Sequence, residues 1–200
     1  MPSDLRLSLR QLARAPGFAA AAVAVLALGI GLNAAVFGLA HVLVFAGRPF
    51  AEPAALVQLY SRNPKDVDSY RAFSYGAAQV IGARHDVFTG VTAHTLGTVG
   101  ISDTPQADAR RSFAGFVSSN YFEVLGVPVT QGRAFTAVEG RPGGDAAVAV
   151  ASYAYWMRRG APADLLGGTV HVNGRPVTIV GISPRGFTGT MMAIGPELFL

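Results

Sequence analysis

The chain has 200 residues, which is enough for an apolar N-terminal segment and one compact domain of about 150 residues but too few for two large domains. It contains no cysteine, which excludes disulfides, thiolate metal sites and cysteine nucleophiles. The formal charge of +4 is carried partly by arginines near the N-terminus, and later charges are mixed in sign, so no basic stripe indicates a nucleic-acid partner.

The N-terminal apolar segment predicts a membrane anchor. No Asp, Glu, Lys or Arg occurs between Ala15 and Gly47, and a helix over 18–45 would be about 42 Å long, against a hydrocarbon core of about 30 Å. The alternative is a cleaved secretory signal, but the apolar region of such a signal has only about 7 to 15 residues. We therefore expect residues 18–46 to form an uncleaved transmembrane helix.

Charged residues around this segment predict its orientation. Three arginines spaced four residues apart precede it: Arg6, Arg10 and Arg14. Because only Arg48 follows, the positive-inside rule places the N-terminus in the cytoplasm and the rest of the chain across the membrane. Residues 1–17 are expected to form an amphipathic helix on the membrane surface, with its arginines toward anionic lipid, and the helix is broken by Pro16 and Gly17.

Small residues and one amide within the segment predict contact with a second helix. Gly31, Ala35 and Gly38 share one side of a helix and permit close approach of another. Asn33 lies near the middle of the span, where an unpaired amide is costly. We expect Asn33 to hydrogen-bond to another helix at an interface, and we favour this role over a place on a substrate or ion path.

The remaining residues, 47–200, predict an α+β domain with short helices and a mixed or antiparallel sheet. After a proline-containing exit linker at 48–53, the predicted elements are a strand at 56–60, a helix at 74–84 capped by Ser74, β structure at 87–101, a strand at 110–117, a short helix at 119–126 capped by Ser119, a buried strand at 146–151, a helix at 152–159 and a hairpin at 169–172 and 176–180. Asn173-Gly174 between the last two strands is a strong signal for a tight turn. The apolar, β-prone ending at 196–200 is typical of an interrupted strand, and we expect the natural chain to continue.

Sequence motifs for catalysis and cofactor binding are weak. Residues 29–34 fit a loose dinucleotide fingerprint, but the following residues lack the polar face of a soluble nucleotide-binding helix. Ser183 lies in a near match to a nucleophile elbow in which Arg185 replaces the second glycine. The four histidines lack metal-ligand spacing, and no phosphate-binding G-x-x-x-x-G-K-[ST] occurs, so ATP would have to be bound by another chain. We predict no catalytic, cofactor-binding or metal site.

Several segments together resemble MacB-like ABC transporter permeases, especially the acidobacterial-type subfamily. They are Leu5–Phe18, Leu26–Phe37 with the pattern L-x-L-G-I-G-x-N-x-A-x-F, Ser119–Val127, Gly132–Phe135, Val148–Tyr153 and Val170–Ile182. The resemblance implies a non-catalytic permease component of the bacterial inner membrane with a periplasmic core domain. It also implies an ATP-binding subunit and a second permease half or second copy as partners. The alternative is a single-pass membrane-anchored sensor or scaffold whose outer domain binds a partner or small ligand.

Overall fold

A computed structural model describes residues 15–45, 50–63, 65–141, 147–190 and 195–200. The chain divides into two compact units, Met1–Gly47 and Arg48–Leu200. Residues 1–14, which include Arg6, Arg10 and Arg14, lie outside the described part, and so does the surface helix predicted for them.

The described part of the first unit is one continuous helix, α1, over Pro16–Phe45. Its segment Pro16–Gly38 has a mean hydropathy of 2.2, is 0% buried, and is long and apolar enough to cross a membrane. The helix begins two residues before the predicted start, because Pro16 occupies its first turn. A proline is tolerated there since the first backbone N–H groups of a helix have no intrahelical acceptor.

The second unit is an α+β domain, as predicted. Its described elements in chain order are β1 (Ser61–Asn63), β2 (Asp66–Arg71), α2 (Tyr75–Gly82), β3 (His94–Ser102), β4 (Arg110–Val117), α3 (Tyr121–Val124), β5 (Gln131–Gly132), β6 (Val148–Ala151), α4 (Tyr153–Arg158), β7 (Thr169–Val172), β8 (Arg175–Ile182) and β9 (Leu198–Phe199). Single 3-10 turns occur at Pro53–Ala55 and Ala163–Leu165.

Local signals placed most of these elements correctly. Ser74 and Ser152 each accept a hydrogen bond at 3.2 Å from the backbone N–H three residues later, so they cap α2 and α4. Asn173 and Gly174 take φ angles of 51° and 78°, as a two-residue turn between β7 and β8 requires. Ser119 does not cap α3, because Asn120 occupies the cap position instead.

Two predicted strands start later than expected. Residues 56–60 form no strand, because β2 ends at Arg71 opposite Ser61 and leaves nothing for the earlier residues to pair with. The β structure predicted over 87–101 is a loop up to residue 93, and β3 begins at His94. In both cases the composition favours β structure, but a strand forms only where a neighbouring strand is present.

Six strands of the described chain are hydrogen-bonded in a closed ring. Their order is β7, β8, β6, β9, β4 and β3, and β3 pairs back onto β7. The closing contact is antiparallel and short, with Ile101 opposite Val172 and Ser102 opposite His171. The pairs β6–β8 and β4–β9 are parallel, so the sheet is mixed as predicted. The sequence did not predict its closure into a small barrel.

Side chains alternate between the inside and the outside of this barrel. The inward ones form a single buried cluster: Val99, Ile101, Ala114, Ala149, Ala151, Val170, Val172, Val177, Ile179 and Leu198. Val150 and Phe199 point outward and join a second buried cluster on the outer face of β6 and β9. The short strands β6 and β9 are therefore covered on both faces, which explains their uniformly apolar sequences.

Helix α4 closes the end of the barrel at which β6 finishes. The backbone N–H of Ser152 donates to the carbonyl of Glu197 at 2.8 Å, which fixes the start of the helix. Tyr155, which is 1% exposed, and Leu165 pack onto the inward cluster. At the opposite end, where β4 and β9 finish, a cleft is open to solvent.

Candidate functional site

The surface of α1 carries the residues predicted for helix packing. Gly31 and Gly38 have nothing within 4 Å of the position that a Cβ would occupy, so each leaves an open notch in the helix surface. Ala35 lies on the same side, one turn from both. The described structure thus presents a shallow strip of small residues on one side of α1.

Asn33 lies on another side of α1. It is two residues from both Gly31 and Ala35, which places it about 160° around the helix from Gly31. Its Nδ2 donates to the backbone carbonyl of Gly29 at 3.0 Å. One amide N–H is therefore satisfied within the helix itself, and this lowers the cost of exposing Asn33 to lipid. Asn33 is thus separated from the strip with which the sequence analysis grouped it.

The first described residues of the second unit pack against the rest of the domain. Phe50 is only 9% exposed, and its ring meets that of Phe187 edge to face with centroids 6.4 Å apart. The backbone N–H of Ala51 donates to the carbonyl of Leu125 at 3.4 Å. The sequence analysis placed these residues in an exit linker and missed this contact, because a lone phenylalanine between two prolines carries no periodic signal.

Phe50 and Phe187 belong to an aromatic cluster on the outer face of β9. Tyr121 and Phe122 from α3 complete it with Phe199, and neighbouring rings lie 5.3 to 6.3 Å apart. Each aromatic pair of this kind stabilises the fold by about 0.5–1.5 kcal/mol, in addition to the free energy gained by burying apolar surface. The hydroxyl of Tyr121 accepts from the backbone N–H of Thr190 at 3.2 Å, and burial raises the pKa of this phenol.

Gly126 follows the end of α3 and lies against Ala51 at the start of the second unit. Its φ angle is +63°, in the left-handed region that glycine commonly adopts just after the end of a helix. A Cβ built on Gly126 would lie 2.5 Å from the Cβ of Ala51. Glycine is therefore needed here for its conformation and also for the close approach of the chain that enters the domain.

An ionic cluster lies at the α4 end of the barrel. Glu197, whose side chain is 12% exposed, bonds both Arg110 on β4 and Arg158 on α4, the latter at 2.5 Å. Burial alone would raise the pKa of Glu197, but hydrogen bonds from Arg110 and Ser112 together with the nearby arginine charges lower it on balance. A carboxylate kept ionised between two guanidinium groups is a poor proton acceptor, so the cluster serves to join β4, β9 and α4.

The serine of the near-match nucleophile motif has a structural role. Ser183 is fully buried, and its Oγ accepts from the backbone N–H of Tyr153 at 3.3 Å, next to the start of α4. Among the described residues, no group of three or more His, Asp or Glu side chains is placed to hold a metal ion. The main features of the described residues are a helix of membrane-spanning length, a chain entry packed against the domain and a closed barrel.

These features define a class of protein in which an α+β domain follows an N-terminal apolar helix long enough to cross a membrane. The sequence profile of the MacB-like periplasmic core domain matches residues 19–200. The chain belongs to this family, whose members are components of ABC-type transporter permeases. A comparison with curated proteins finds no match.

A solved structure shares the fold. The periplasmic region of MacB from Actinobacillus actinomycetemcomitans is 18% identical, with a TM-score of 0.52 over 70% of this chain and 61% of that chain. The extracellular domain of the noncanonic ABC-type transporter YknZ from Gram-positive bacteria is also 18% identical, with a TM-score of 0.48 over 64% of this chain and 61% of that one. The chain thus spans less than two thirds of either relative.

Proposed function

We propose that the chain is a non-catalytic permease component that passes motion between a membrane helix and a periplasmic domain. In this proposal residues 1–17 lie on the cytoplasmic surface of the inner membrane, 18–46 cross it and 47–200 form the periplasmic core domain. An ATP-binding subunit hydrolyses ATP on the cytoplasmic side, and a second permease half or second copy completes the transporter. The observation that carries the proposal is the burial of Phe50 at the start of the domain.

The length of the connection supports this role. Helix α1 ends at Phe45, and Phe50 is already held against Phe187. Five residue steps span at most about 18 Å even when fully extended. Because the connection is this short, a displacement of the helix end beyond that reach pulls on Phe50 and, through the aromatic cluster, on β9. A long flexible linker would absorb the same displacement.

The strip of small residues on α1 is proposed as the contact with a second transmembrane helix. Gly31, Ala35 and Gly38 permit close backbone approach, which favours association in lipid through van der Waals packing. Three further residues are proposed to fix the topology through their positive charge on the cytoplasmic side: Arg6, Arg10 and Arg14.

Single cysteines test the topology, because the 200 residues of this sequence contain none. Thr104→Cys, in the exposed turn after β3, should react with a membrane-impermeant maleimide in spheroplasts, whereas Ser3→Cys should react only after lysis. Replacing Arg6, Arg10 and Arg14 together by glutamate should reduce the fraction of Thr104→Cys that is labelled. Labelling of both cysteines only after lysis would overturn the orientation.

Hydrogen exchange tests the coupling. The chain purified from membranes in mild detergent should retain a subunit with a phosphate-binding loop. Addition of ATP and vanadate to that complex should change the exchange of residues 50–56 and 121–127. Phe50→Ala should abolish the change, while Phe73→Ala, at a phenylalanine that is 38% exposed, should preserve it. A chain that retains no such subunit and shows no nucleotide-dependent exchange would instead fit a membrane-anchored scaffold.

A further inference from the structure

The joint that closes the barrel is short. Strands β3 and β7 pair through two residues each, Ile101 opposite Val172 and Ser102 opposite His171. The neighbouring joints are longer, since β3 pairs with β4 over eight residues and β7 pairs with β8 over four. We call the joint between β3 and β7 the seam.

The two joints of β9 also pair two residues each, but they are better supported. The aromatic cluster covers the outer face of β9. Four further backbone hydrogen bonds of 2.8–2.9 Å join the residues on either side of it to the neighbouring segments: Ser152 to Glu197, Glu197 to Phe113, Leu200 to Gly115 and Val117 to Leu200. The seam is therefore the weakest joint of the described ring.

Asn173 extends the seam by one step. Its backbone N–H donates to the carbonyl of Gly100 at 2.8 Å, as in a regular ladder. The return bond is made by the side chain, because the backbone N–H of Gly100 donates to Oδ1 of Asn173 at 2.8 Å. The side-chain amide thus takes the place of a backbone carbonyl where the chain turns toward β8. This bond is exposed, so water competes for it.

A buried nitrogen in the seam favours its opening. Nδ1 of His171 is buried and has no hydrogen-bond partner among the described residues. A buried polar atom without a partner costs free energy, which contact with water recovers. His171 lies opposite Ser102, so separation of β3 from β7 would allow water to reach this atom.

We propose that the barrel opens at the seam and that the side chain of Asn173 is the latch that holds it closed. Opening releases the hairpin of β7 and β8 from β3, while the long ladder between β3 and β4 stays intact. His171 opposes the latch, so the two residues act on the seam in opposite directions. The barrel can change its cross-section in this way without unfolding.

Hydrogen exchange of the full chain in mild detergent tests the proposal, with fragmentation that resolves single amides. Ser102 and His171 direct their N–H groups across the seam, whereas Ile101 directs its N–H toward β4, because hydrogen-bonded and non-hydrogen-bonded pairs alternate in an antiparallel ladder. After correction for intrinsic rates, the amides of Ser102 and His171 should exchange roughly tenfold or more faster than that of Ile101. No nucleotide or partner subunit is present, so the result is independent of the proposed transport role.

Two substitutions of Asn173 isolate the latch from the turn. Asn173→Gly tolerates the positive φ angle but removes Oδ1, and it should accelerate exchange at Ser102 and His171 roughly three- to tenfold while leaving Ile101 unchanged. The bonds of Ser102 and His171 are not touched by this substitution, so only more frequent opening of the seam can accelerate them. Asn173→Asp keeps an acceptor at the same place and should preserve the slower exchange near neutral pH.

A second pair of variants tests the opposing residue. His171→Leu removes the buried nitrogen and should slow exchange at Ser102 roughly threefold or more. Thr169→Leu, at an exposed position on the same side of β7, removes no buried nitrogen and should have no effect.

Four outcomes would overturn the proposal. They are equally slow exchange at Ser102 and Ile101 in the unsubstituted chain, acceleration by Asn173→Gly at Gly100 alone, equal acceleration at Ile101, which would mean that the whole barrel unfolds, and equal effects of His171→Leu and Thr169→Leu.

Discussion

Phe50 and Phe187 meet edge to face with ring centroids 6.4 Å apart, and this contact joins the first described residues of the domain to the loop that follows β8. The aromatic cluster beneath them leads directly to Phe199 on β9, which lies between β4 and β6 in the barrel. The point at which the chain enters the domain is therefore packed against the centre of the sheet. A force applied at that point reaches the barrel without passing through a loose segment.

Phe50→Ala should destabilise the domain by about 3 kcal/mol, at the lower end of the range for buried aromatic truncations because Phe50 lies at the edge of its cluster. Urea unfolding of the full chain in detergent measures this, followed by the fluorescence of Trp156. That residue is the single tryptophan of the chain, and its Nε1–H donates to the carbonyl of Pro162.

Phe73→Ala provides the matched control for Phe50→Ala. Phe73 is 38% exposed and lies outside both buried clusters, so its truncation should cost less than about 1 kcal/mol. Equal losses of stability in the two variants would show that Phe50 is not anchored as the structure describes.

Gly126→Ala should destabilise the domain through two separable effects. The φ angle of +63° costs a residue with a side chain about 1–2 kcal/mol, and the new Cβ also collides with that of Ala51. Ala51→Gly in the same chain should recover the collision energy but not the conformational cost. Unfolding free energies of the single and double variants measure the two parts.

Gly160→Ala measures the conformational cost of a positive φ angle without a steric collision. Gly160 has a φ angle of +84° with nothing within 4 Å of the position of a Cβ, so its substitution carries the conformational cost alone. Its effect should match that of Gly126→Ala measured in the Ala51→Gly background. If Ala51→Gly recovers nothing, the chain entry does not pack on Gly126.

The elements of the domain could be predicted from the sequence wherever their signals are local. Ser74 and Ser152 cap helices because a serine followed by a helical run acts on N–H groups only two or three residues away. Asn173-Gly174 determines a hairpin because both residues tolerate positive φ angles. The match of β4 to the predicted 110–117 has the same origin, since its alternation and the preceding turn are contained in one short window.

The closure of the barrel could not be predicted, because it depends on contacts between distant residues. Two-residue β9 lies between β4 and β6, parallel to one and antiparallel to the other, and no pattern in Leu198–Phe199 indicates this. The cleft follows from closure, since Phe116 and Leu200 come together only when β9 is placed beside β4. The anchoring of Phe50 was missed for the same reason, because its partner Phe187 belongs to a different, irregular segment.

The unfolding free energy should depend on pH through Glu139. The bidentate bond from Arg133 lowers the pKa of Glu139 from 4.5 to about 2. Because the folded pKa is below the unfolded one, the ionised carboxylate stabilises the fold above about pH 4.5, and this contribution is lost as the pH falls toward 2. Allowing for the solvent around Arg133, which is 50% exposed, we expect a contribution of roughly 2 kcal/mol near neutral pH.

Glu139→Gln isolates this contribution. The difference in unfolding free energy between the natural chain and the variant should be largest near neutral pH and shrink toward zero as the pH falls through the window below 4.5. Arg133→Gln should remove the same pH-dependent part, and combining the two changes should remove little more. A difference that stays constant with pH would mean that Glu139 is not held ionised by Arg133.

The two sides of α1 should differ in their exposure to lipid. Ala35 lies beside Gly31 and Gly38 on the proposed contact strip, whereas Ala40 is nine residues from Gly31 and so about half a turn away from it around the helix. Asn33 shares the side of Ala40, and its bond to Gly29 allows that side to face lipid. Spin labels on Ala35→Cys and Ala40→Cys in the assembled complex report this difference through collisions with dissolved oxygen, which is concentrated in lipid. The label at 35 should be protected by the neighbouring helix, and the label at 40 should be accessible to oxygen. Equal accessibility of the two labels, or protection of the label at 40 alone, would show that the helix contact is not on the side of Gly31, Ala35 and Gly38.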